Sequence, residues 1–468
     1  MRLRLLVIIT LAVAITVPAR ADVTPAQNAE MKAHIDKAKL LMKSSDPLQA
    51  SDDVNAILAM KLDSVYSVQA LVLNGRIDEI INGSFGGPDV NDAIKEYTKA
   101  IEMAAKVEGG GTDLKAALTD AYRYRGEAYS ELKNWKAAVA NFNEALKINP
   151  NDVESLIGRG EADFNFGLGL FAKIKEEPEV PSLDDFAAAL KLDPKSAHAY
   201  VARGNFYQIG FITDESLKNA LPEYEKATQV DPTYAEGWFQ HAKVLLLMNK
   251  TELEPQAKSD LDRAIALSPK AEYYAARAKF LAQLTQRDYP AIMADFTSAI
   301  KYDSDNPTRY TDRAAEQAVL PNPDKAQMMA DYSEAIKLLT AKKDSLEMLA
   351  AYGMADTASI SLNDADLCSA LQERGDLYLD KKDGRAALND YNAALEIIPT
   401  NINARAGRVR LMTLSGNSEM AIDEASARLA KVRDAKEEAL AKKLFAARAA
   451  AFIADKHYDE ALLDLNQA

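Results

Sequence analysis

Arginine precedes a small residue at several widely spaced points along this chain of 468 residues. The dipeptide Arg-Gly occurs as Arg125-Gly126, Arg159-Gly160, Arg203-Gly204 and Arg374-Gly375. A guanidinium is always charged, and its planar fork of donors binds carboxylates or phosphates at two points. The recurring arginines therefore predict either a row of anion-binding groups or a set of internal pairs that hold the fold together.

Other residues that could do chemistry lack the spacing that a reaction requires. The histidines His34, His198, His241 and His457 are too far apart to form a metal-binding pair on one helix. The single cysteine, Cys368, has no His or Asp companion in its segment that would activate it and is expected to be a packing residue. The sequence also lacks the motifs of serine hydrolases, zinc proteases and phosphate-binding loops. We therefore expect no catalytic residue, no cofactor and no metal.

The elements that must position these residues are helices. Hydrophobic residues make up 48% of the chain, which is enough to bury a core. The 20 Gly and 17 Pro are too few for a loop-rich β protein, and Ala and Leu recur with a helical period. The composition therefore predicts an all-α chain.

One helical unit recurs in register. Its best copy, AYRYRGEAYSELKNWKAAVANFNEALKINP, spans residues 121–150. Small, aromatic and proline positions repeat at identical offsets in two copies, as Gly126, Tyr129, Ala138, Phe142, Ala145 and Pro150 and as Gly375, Tyr378, Ala387, Tyr391, Ala394 and Pro399. The pattern resembles the signature of the tetratricopeptide repeat (TPR) family. The resemblance implies an all-α, right-handed superhelical solenoid of antiparallel helix pairs, in which small residues allow close helix contact and proline ends the second helix.

Weaker copies extend the array over nearly all of the chain after residue 21 and bring the number of helix pairs to about eleven. The terminal copies are degenerate, as is usual in solenoids. A partly helical insertion at 339–366 is predicted to separate a first block, 22–338, from a second block, 367–468. Shorter insertions at 82–91, 108–113 and 166–181 are interpreted as length variation on one edge in preference to the alternative, contact with a partner.

Each recurring arginine has a polar or acidic counterpart in the second helix of its repeat. The cations, at the seventh place of the first helix, are Arg125, Arg159, Arg203, His241, Arg277, Arg313, Arg374 and Arg448. Their counterparts, directly before the large residue of the second helix, are Asn141, Asp185, Glu223, Asp260, Asp295, Asp331, Asp390 and Asp464. Antiparallel helices bring these two positions to about the same level. We therefore favour internal pairs over a free anion-binding row, and distances beyond hydrogen-bond reach would contradict this.

The resemblance also implies a concave face that binds extended peptides or helices, lined by first-helix positions two, five, nine and twelve. The candidate partner-binding residues at these positions are Arg123, Glu127, Glu161, Phe164, His198, Asn205, Gln208, Phe239, Lys243 and Lys279. The Lys, Arg and Asn cluster that captures a C-terminal carboxylate in one subgroup does not recur here. The groove is acidic at one end, has apolar patches at Phe164, Val201 and Phe239, and fits a basic or apolar segment. The alternative is that these residues form ordinary solvated faces.

The first residues, MRLRLLVIITLAVAITVPARA, have the pattern of a secretory signal peptide. Arg2 and Arg4 precede an apolar core at 5–17, Pro18 breaks the helix, and residues 19–21 fit a cleavage site. The apolar run is too short to span a bilayer comfortably. We expect cleavage after residue 21 and export to a periplasm.

The chain is acidic, with a net charge of −14 that becomes −17 without the three arginines of the predicted signal peptide. This charge disfavours nucleic acids and anionic membranes as partners. We predict a non-catalytic protein–protein interaction scaffold of the bacterial cell envelope with an unknown protein or peptide partner. The alternative is a subunit that self-assembles as a homo-oligomer through its C-terminal repeat, where Leu462 and Leu463 are expected to be partly uncovered.

Overall fold

Helices make up nearly all of the described chain. The computed structural model describes residues 23–43, 46–84, 90–171, 182–208, 212–351, 357–432 and 435–468. Twenty-two α-helices and no strand occur in these residues, which confirms the predicted all-α repeat fold. None of the described helices is both long and apolar enough to cross a membrane. The predicted signal peptide and parts of the insertions at 82–91 and 166–181 lie outside the described residues.

The chain divides into two compact units, Met1–Pro232 and Thr233–Ala468. In the first unit ten helices form consecutive pairs: α1 (Pro25–Lys43) with α2 (Pro47–Ala59), α3 (Val65–Ser84) with α4 (Val90–Ala104), α5 (Gly111–Glu131) with α6 (Trp135–Ile148), α7 (Val153–Phe171) with α8 (Ser182–Leu192), and α9 (Ala197–Tyr207) with α10 (Asp214–Val230). The second helix of each pair also contacts the first helix of the next pair. The unit is therefore a stack of helical hairpins.

The second unit is built in the same way from twelve helices. They are α11 (Ala235–Leu247) with α12 (Glu254–Leu267), α13 (Ala271–Gln283) with α14 (Tyr289–Tyr302), α15 (Pro307–Ala318) with α16 (Lys325–Ala351), α17 (Thr357–Asp380) with α18 (Gly384–Ile397), α19 (Ile402–Leu414) with α20 (Ser418–Leu429), and α21 (Ala435–Ala454) with α22 (Tyr458–Leu465). A short 3-10 turn, Thr251–Leu253, precedes α12. The described residues thus contain eleven pairs, the number that the repeat pattern predicted.

The core forms where a large side chain of the second helix packs on a small residue of the first helix. Phe142 and Tyr224 are almost completely buried in this position. A Cβ atom at Gly126 would lie 3.0 Å from the Phe142 ring, and one at Gly204 would lie 2.6 Å from the Tyr224 ring. These contacts leave little room for a side chain, which explains why a small residue recurs after the arginine.

A left-handed residue forms the turn inside several hairpins. Lys133 and Lys382 have φ angles of 56° and 62°, and Gly416 has 80° at the corresponding place. The residue after the turn is the N-cap of the second helix. After Lys382, for example, the Asp383 side chain accepts a hydrogen bond from the Ala386 N–H. This cap satisfies a backbone donor that the first turn of a helix leaves unpaired.

The predicted insertion at 339–366 contributes to two long helices. Residues 339–351 end α16 and residues 357–366 begin α17. The two extensions are joined where Lys343 Nζ lies 2.7 Å from Asp364 Oδ1 and where the Asn363 side chain donates to the Leu339 carbonyl at 3.0 Å. That residues 339–366 separate two blocks of repeats stays a prediction.

Candidate functional site

The recurring arginines bind acids within their own repeats. Arg159 donates from Nε and Nη2 to both carboxylate oxygens of Asp185, at 2.8 and 2.6 Å. The same two-point contact joins Arg277 to Asp295, Arg313 to Asp331, Arg374 to Asp390 and Arg448 to Asp464. Single hydrogen bonds join Arg125 to Asn141, Arg203 to Glu223 and His241 to Asp260. The predicted internal pairing is confirmed, and we call this set of pairs the arginine ladder.

Most ladder arginines also bind the preceding repeat. Arg159 Nη1 donates to the Asn143 side chain at 2.9 Å, and Arg277 Nη1 donates to Asp262 at 2.6 Å. Equivalent bonds run from Arg125 to Thr98, from Arg313 to Thr297, from Arg374 to Ser333 and from Arg448 to Ser426. One guanidinium therefore ties three helices together and helps to set the register in which the hairpins stack. The cations of the ladder are thus bound by internal partners and do not form a row of free anion-binding groups.

Two further pairs belong to the ladder although the sequence patterns did not reveal them. Arg408 Nε donates to Glu424 at 2.9 Å, and Lys37 Nζ lies 2.9 Å from Asp53. Val409 follows Arg408 where other repeats have a small residue, so this weak copy does not show the arginine position of the pattern. A search for cations followed by an acid at a fixed offset would have found it.

A separate group of charged residues lies on the first helices of the first unit. The Tyr124 ring is flanked by two guanidiniums, with Arg76 Cζ 4.5 Å and Arg123 Cζ 4.4 Å from its centroid. Arg76 Nη1 also donates to Glu79 at 2.6 Å and lies 3.8 Å from Glu127 Oε2. Burial raises the pKa of Glu127 to about 7, against the opposing attraction of Arg123 and Arg76.

The group continues onto α7 and α9. His198 Nδ1 lies 3.0 Å from Glu154 Oε2, and His198 Nε2 lies 3.7 Å from Glu161 Oε1. Burial lowers the pKa of His198, but its hydrogen bonds to Glu154 and Glu161 raise it more, to about 10. The same hydrogen bond lowers the pKa of Glu154. We call the whole group the charged strip, and its members are Arg76, Glu79, Arg123, Tyr124, Glu127, Glu154, Glu161 and His198.

Three carboxylates of the charged strip are partly exposed, whereas one of its cations, Arg123, is well buried. The side chains of Glu127, Glu154 and Glu161 are 40%, 44% and 39% exposed, whereas that of Arg123 is 14% exposed. Arg123 is held between Asp120, at 2.6 Å, and the Tyr124 ring. The side chains of Arg76 and His198 are 35% and 36% exposed, so the strip presents both signs of charge, with these three carboxylates slightly more exposed than the cations.

The remaining predicted residues of the first unit lie next to the strip on α7 and α9. The Phe164 ring is half-buried, and its centroid is 5.8 Å from that of Phe206. The Tyr224 hydroxyl donates to Asn205 Oδ1 at 2.8 Å and accepts a hydrogen bond from Gln208. Both amides are therefore held against a buried tyrosine.

The predicted residues of the second unit form no comparable cluster. Phe239 is 5% exposed and packs on Tyr273 with ring centroids 4.5 Å apart, so it offers little apolar surface to a partner, and the same is true of the buried Val201 in the first unit. Lys243 Nζ donates to Gln240 at 3.1 Å, and Lys279 Nζ lies 2.7 Å from Asp312 Oδ2. Their role in partner binding stays a prediction.

Two observations concern metal binding and the reactivity of the cysteine. Among the residues that the structure describes, no group of three or more His, Cys, Asp or Glu side chains is placed to hold a metal ion. Cys368 is buried, its Sγ accepts a hydrogen bond from the Asn401 side chain at 3.0 Å, and burial raises the pKa of its thiol. A raised thiol pKa disfavours the reactive thiolate, which agrees with a packing role.

Comparison with known families identifies one of the hairpins. Residues 119–152 match the family model of the tetratricopeptide repeat. The chain carries a tetratricopeptide repeat. The matched segment covers most of α5 and all of α6, and it contains both Arg123 and Glu127 of the charged strip. Tetratricopeptide-repeat proteins generally mediate protein–protein interactions, and proteins with this fold are generally non-catalytic scaffolds.

Two curated relatives share part of the repeat region. The chain is 29% identical over 111 residues to a DnaJ homolog subfamily C member 7 homolog of Dictyostelium discoideum, a match that covers 24% of this chain and 19% of that protein. It is 22% identical over 227 residues to the human mitochondrial import receptor subunit TOM70, covering 44% of this chain and 35% of that protein. The matches thus span about a fifth and about a third of those relatives.

Solved structures of tetratricopeptide-repeat proteins are also similar to the chain. A tetratricopeptide-repeat protein of Parabacteroides merdae is 17% identical, with 62% of this chain and 99% of that chain covered and a TM-score of 0.43. Yeast Tom70 is 17% identical, with 86% and 91% covered and a TM-score of 0.28.

Proposed function

We propose that this chain is a non-catalytic scaffold that holds an extended or helical segment of a partner protein on the charged strip of its first unit. The observation that carries the proposal is the exposure of Glu127, Glu154 and Glu161 along three successive positions of the strip. The arginine ladder keeps the helices that carry these carboxylates in register. A rigid row of partly exposed charged groups is suited to reading a partner segment along its length.

The partner segment is proposed to be basic. Burial raises the pKa of Glu127 to about 7 even though two arginines lie beside it, so its ionised form lacks sufficient compensation. A lysine or arginine from a partner would supply that compensation. Phe164 beside the strip offers a half-buried ring for an apolar neighbour of the basic residue.

The test measures binding of a labelled peptide of alternating Lys and Ala by fluorescence anisotropy. We expect binding that weakens with salt and that falls about tenfold in the Glu154→Gln/Glu161→Gln variant. The matched control is Glu102→Gln/Glu144→Gln, which removes the same charge from an exposed position of α4 and a partly exposed position of α6 in the same unit. Equal weakening in both double variants would show that only the net charge of the unit attracts the peptide, and would refute a specific strip.

The cellular location is part of the proposal. The positive start, apolar core and cleavage pattern within residues 1–21 support export to the envelope of a Gram-negative bacterium. Fractionation followed by N-terminal sequencing tests this, and the expected first residue of the exported protein is Asp22. Absence of the protein from the periplasmic fraction, with residues 1–21 still attached, would contradict the proposed export.

A second candidate function is self-assembly, and the surface of α22 favours it. Leu462, Leu463 and Leu465 are 60%, 68% and 51% exposed, and Tyr458 is also exposed. An apolar surface of this kind is typical of an association site. Sedimentation velocity over a range of concentrations tests it: a mass that rises with concentration and returns to that of the monomer in Leu462→Lys/Leu463→Lys supports assembly, whereas a constant monomer mass excludes it.

A further inference from the structure

A cavity of about 410 Å³ lies in the second unit between α15, α16 and α17. Tyr332 of α16 lines it and is only 4% exposed. Among the described residues the Tyr332 hydroxyl has no hydrogen-bond partner. The oxygen is not one of the buried polar atoms that lack a partner, so the hydroxyl borders the open space of the cavity and is accessible to a ligand there.

The corresponding tyrosines of other repeats all have a partner. Each donates to an acceptor on the first helix of its own hairpin: Tyr97 to Glu79 at 2.8 Å, Tyr224 to Asn205 at 2.8 Å and Tyr391 to Asp376 at 2.6 Å. These acceptors occupy first-helix positions nine or twelve. In the hairpin of Tyr332 the same two positions hold Ala315 and Ala318, and both line the cavity. Two truncated side chains therefore create the space and leave the hydroxyl without an acceptor.

The remaining lining combines carboxylates and apolar side chains with the hydroxyl groups of Thr308, Thr311 and Ser369. Asp366 and Glu373 of α17 reach the cavity, and of the described residues that line it none is a lysine or an arginine. Asp312 also lines it, but its carboxylate is already paired with Lys279 at 2.7 Å. Glu373 is an exposed residue, and partial burial and then the neighbouring Asp376 raise the pKa of its carboxyl group.

We propose that this cavity binds a cationic amine or guanidinium group carried on an aliphatic chain. Such a group is a donor only, so it can bind the carboxylates of Glu373 and Asp366 while the Tyr332 hydroxyl accepts a further hydrogen bond. Its aliphatic chain packs on Leu339 and on Ala315. An anionic ligand is disfavoured by the same carboxylates. The site is separate from the charged strip, which belongs to the other unit.

The chemistry has two possible sources, a Lys or Arg side chain of a partner protein or a free small amine. The probes are agmatine and the blocked peptide acetyl-Ala-Arg-Ala-amide, each titrated calorimetrically into the full chain. Binding of the blocked peptide alone assigns the cavity to a protein side chain. Binding of agmatine as tight as that of the peptide assigns it to a free amine.

The decisive variant is Ala315→Asn, which places in α15 the residue found at the corresponding position of α9, Asn205. Its amide enters the cavity beside Tyr332 and gives the hydroxyl an acceptor, so we expect affinity to fall at least about tenfold. Glu373→Gln should also weaken binding. Glu334→Gln on α16 makes the same charge change outside the cavity and should leave the affinity unchanged.

Three results would overturn the proposal: no binding of either probe at about 10 mM, unchanged binding in Ala315→Asn, or equal weakening in Glu373→Gln and Glu334→Gln. Circular dichroism checks that Ala315→Asn is folded. If it is not, Tyr332→Phe replaces it, because this change keeps the ring and removes only the hydroxyl. Weaker binding by Tyr332→Phe at unchanged thermal stability supports the site, and unchanged binding contradicts it.

Discussion

Arg374 and Asp390 are joined at two points, with Nε and Nη2 of the arginine 2.8 and 2.7 Å from the two carboxylate oxygens. The third nitrogen, Nη1, donates to Ser333 of the preceding hairpin at 3.2 Å. Asp390 is nearly buried, so its charge depends on this one cation. The pair therefore connects α17 to both α18 and α16, and the same geometry recurs through both units.

Arg374→Ala is expected to lower the free energy of unfolding by about 3 kcal/mol, because it leaves a buried carboxylate without a partner. Arg374→Lys keeps the charge but loses the two-point contact, and should lie between the wild type and the alanine variant. Urea denaturation measures both. The control is Lys337→Ala, which breaks an exposed pair with Glu334 and should change stability much less than Arg374→Ala does. Losses of equal size in Arg374→Ala and Lys337→Ala would show that the ladder adds no more than a surface pair.

The two tyrosines Tyr391 and Tyr332 should respond differently to loss of the hydroxyl. Tyr391→Phe removes a hydrogen bond to Asp376 at 2.6 Å and should destabilise the chain by about 2 kcal/mol. Tyr332→Phe removes a hydroxyl without a partner among the described residues, so stability should change by less than about 0.5 kcal/mol. Thermal unfolding of the two variants side by side provides the measurement. A large loss in Tyr332→Phe would mean that its hydroxyl is bound in solution.

Lys382→Gly should stabilise the second unit by about 1 kcal/mol. Lys382 has a φ angle of 62°, a conformation that is unfavourable for a residue with a Cβ atom and natural for glycine, which Gly416 provides in a later hairpin. Chemical denaturation tests the change. Lys381→Gly, one residue earlier and outside the left-handed region, is the matched control and should not stabilise. A stability gain shared by both variants would rule out the conformational explanation.

His198 should contribute stability that depends on pH. Its pKa is raised from 6.5 to about 10 in the folded chain, so the contribution is fully present below about pH 6.5 and is lost as pH rises through about 10. His198→Gln should therefore destabilise the chain at pH 6 and have a smaller effect at pH 10. The difference between variant and wild type, measured by denaturation at both pH values, isolates this residue. A difference independent of pH would contradict the raised pKa.

Binding of a basic peptide to the charged strip should tighten as pH rises. The pKa of Glu127 is about 7 in the free chain, and a bound cation lowers it, so protonated Glu127 must lose its proton when the peptide binds. We expect higher affinity at pH 8 than at pH 5.5 and release of protons on binding, which calorimetry in buffers of different ionisation enthalpy detects. Glu127→Gln should remove most of this dependence on pH. If Glu127→Gln keeps the full pH dependence of binding, that dependence arises from another titratable group.

The sequence predicted the features that depend on one hairpin. Arg159 and Asp185 are far apart in the chain, but both occupy fixed places in the repeat, so pairing them required only the antiparallel geometry. Arg408 and Glu424 obey the same geometry, but Val409 follows the arginine where other repeats have a small residue, so the pair is not apparent from the pattern.

Features that depend on several hairpins were not predictable from spacing. Arg123 and Glu127 were expected at a binding face, but Arg76 joins them only because α3 and α5 lie against each other. The burial of Phe239 likewise results from its contact with Tyr273 of the next hairpin. Such contacts depend on how neighbouring repeats stack, which a pattern within one repeat does not encode.

Ala315 and Ala318 show how a repeat protein can acquire a binding site in one repeat through the loss of side chains that other repeats keep. Contacts with neighbouring hairpins stabilise each hairpin, so one copy can lack two of these side chains and still fold within the stack. What the other copies use as internal support then becomes a free chemical group facing an empty space. Because the repeats support one another, a single repeat can change without unfolding the array. A repeat that lacks side chains present in the other repeats is therefore a good candidate for a ligand-binding site.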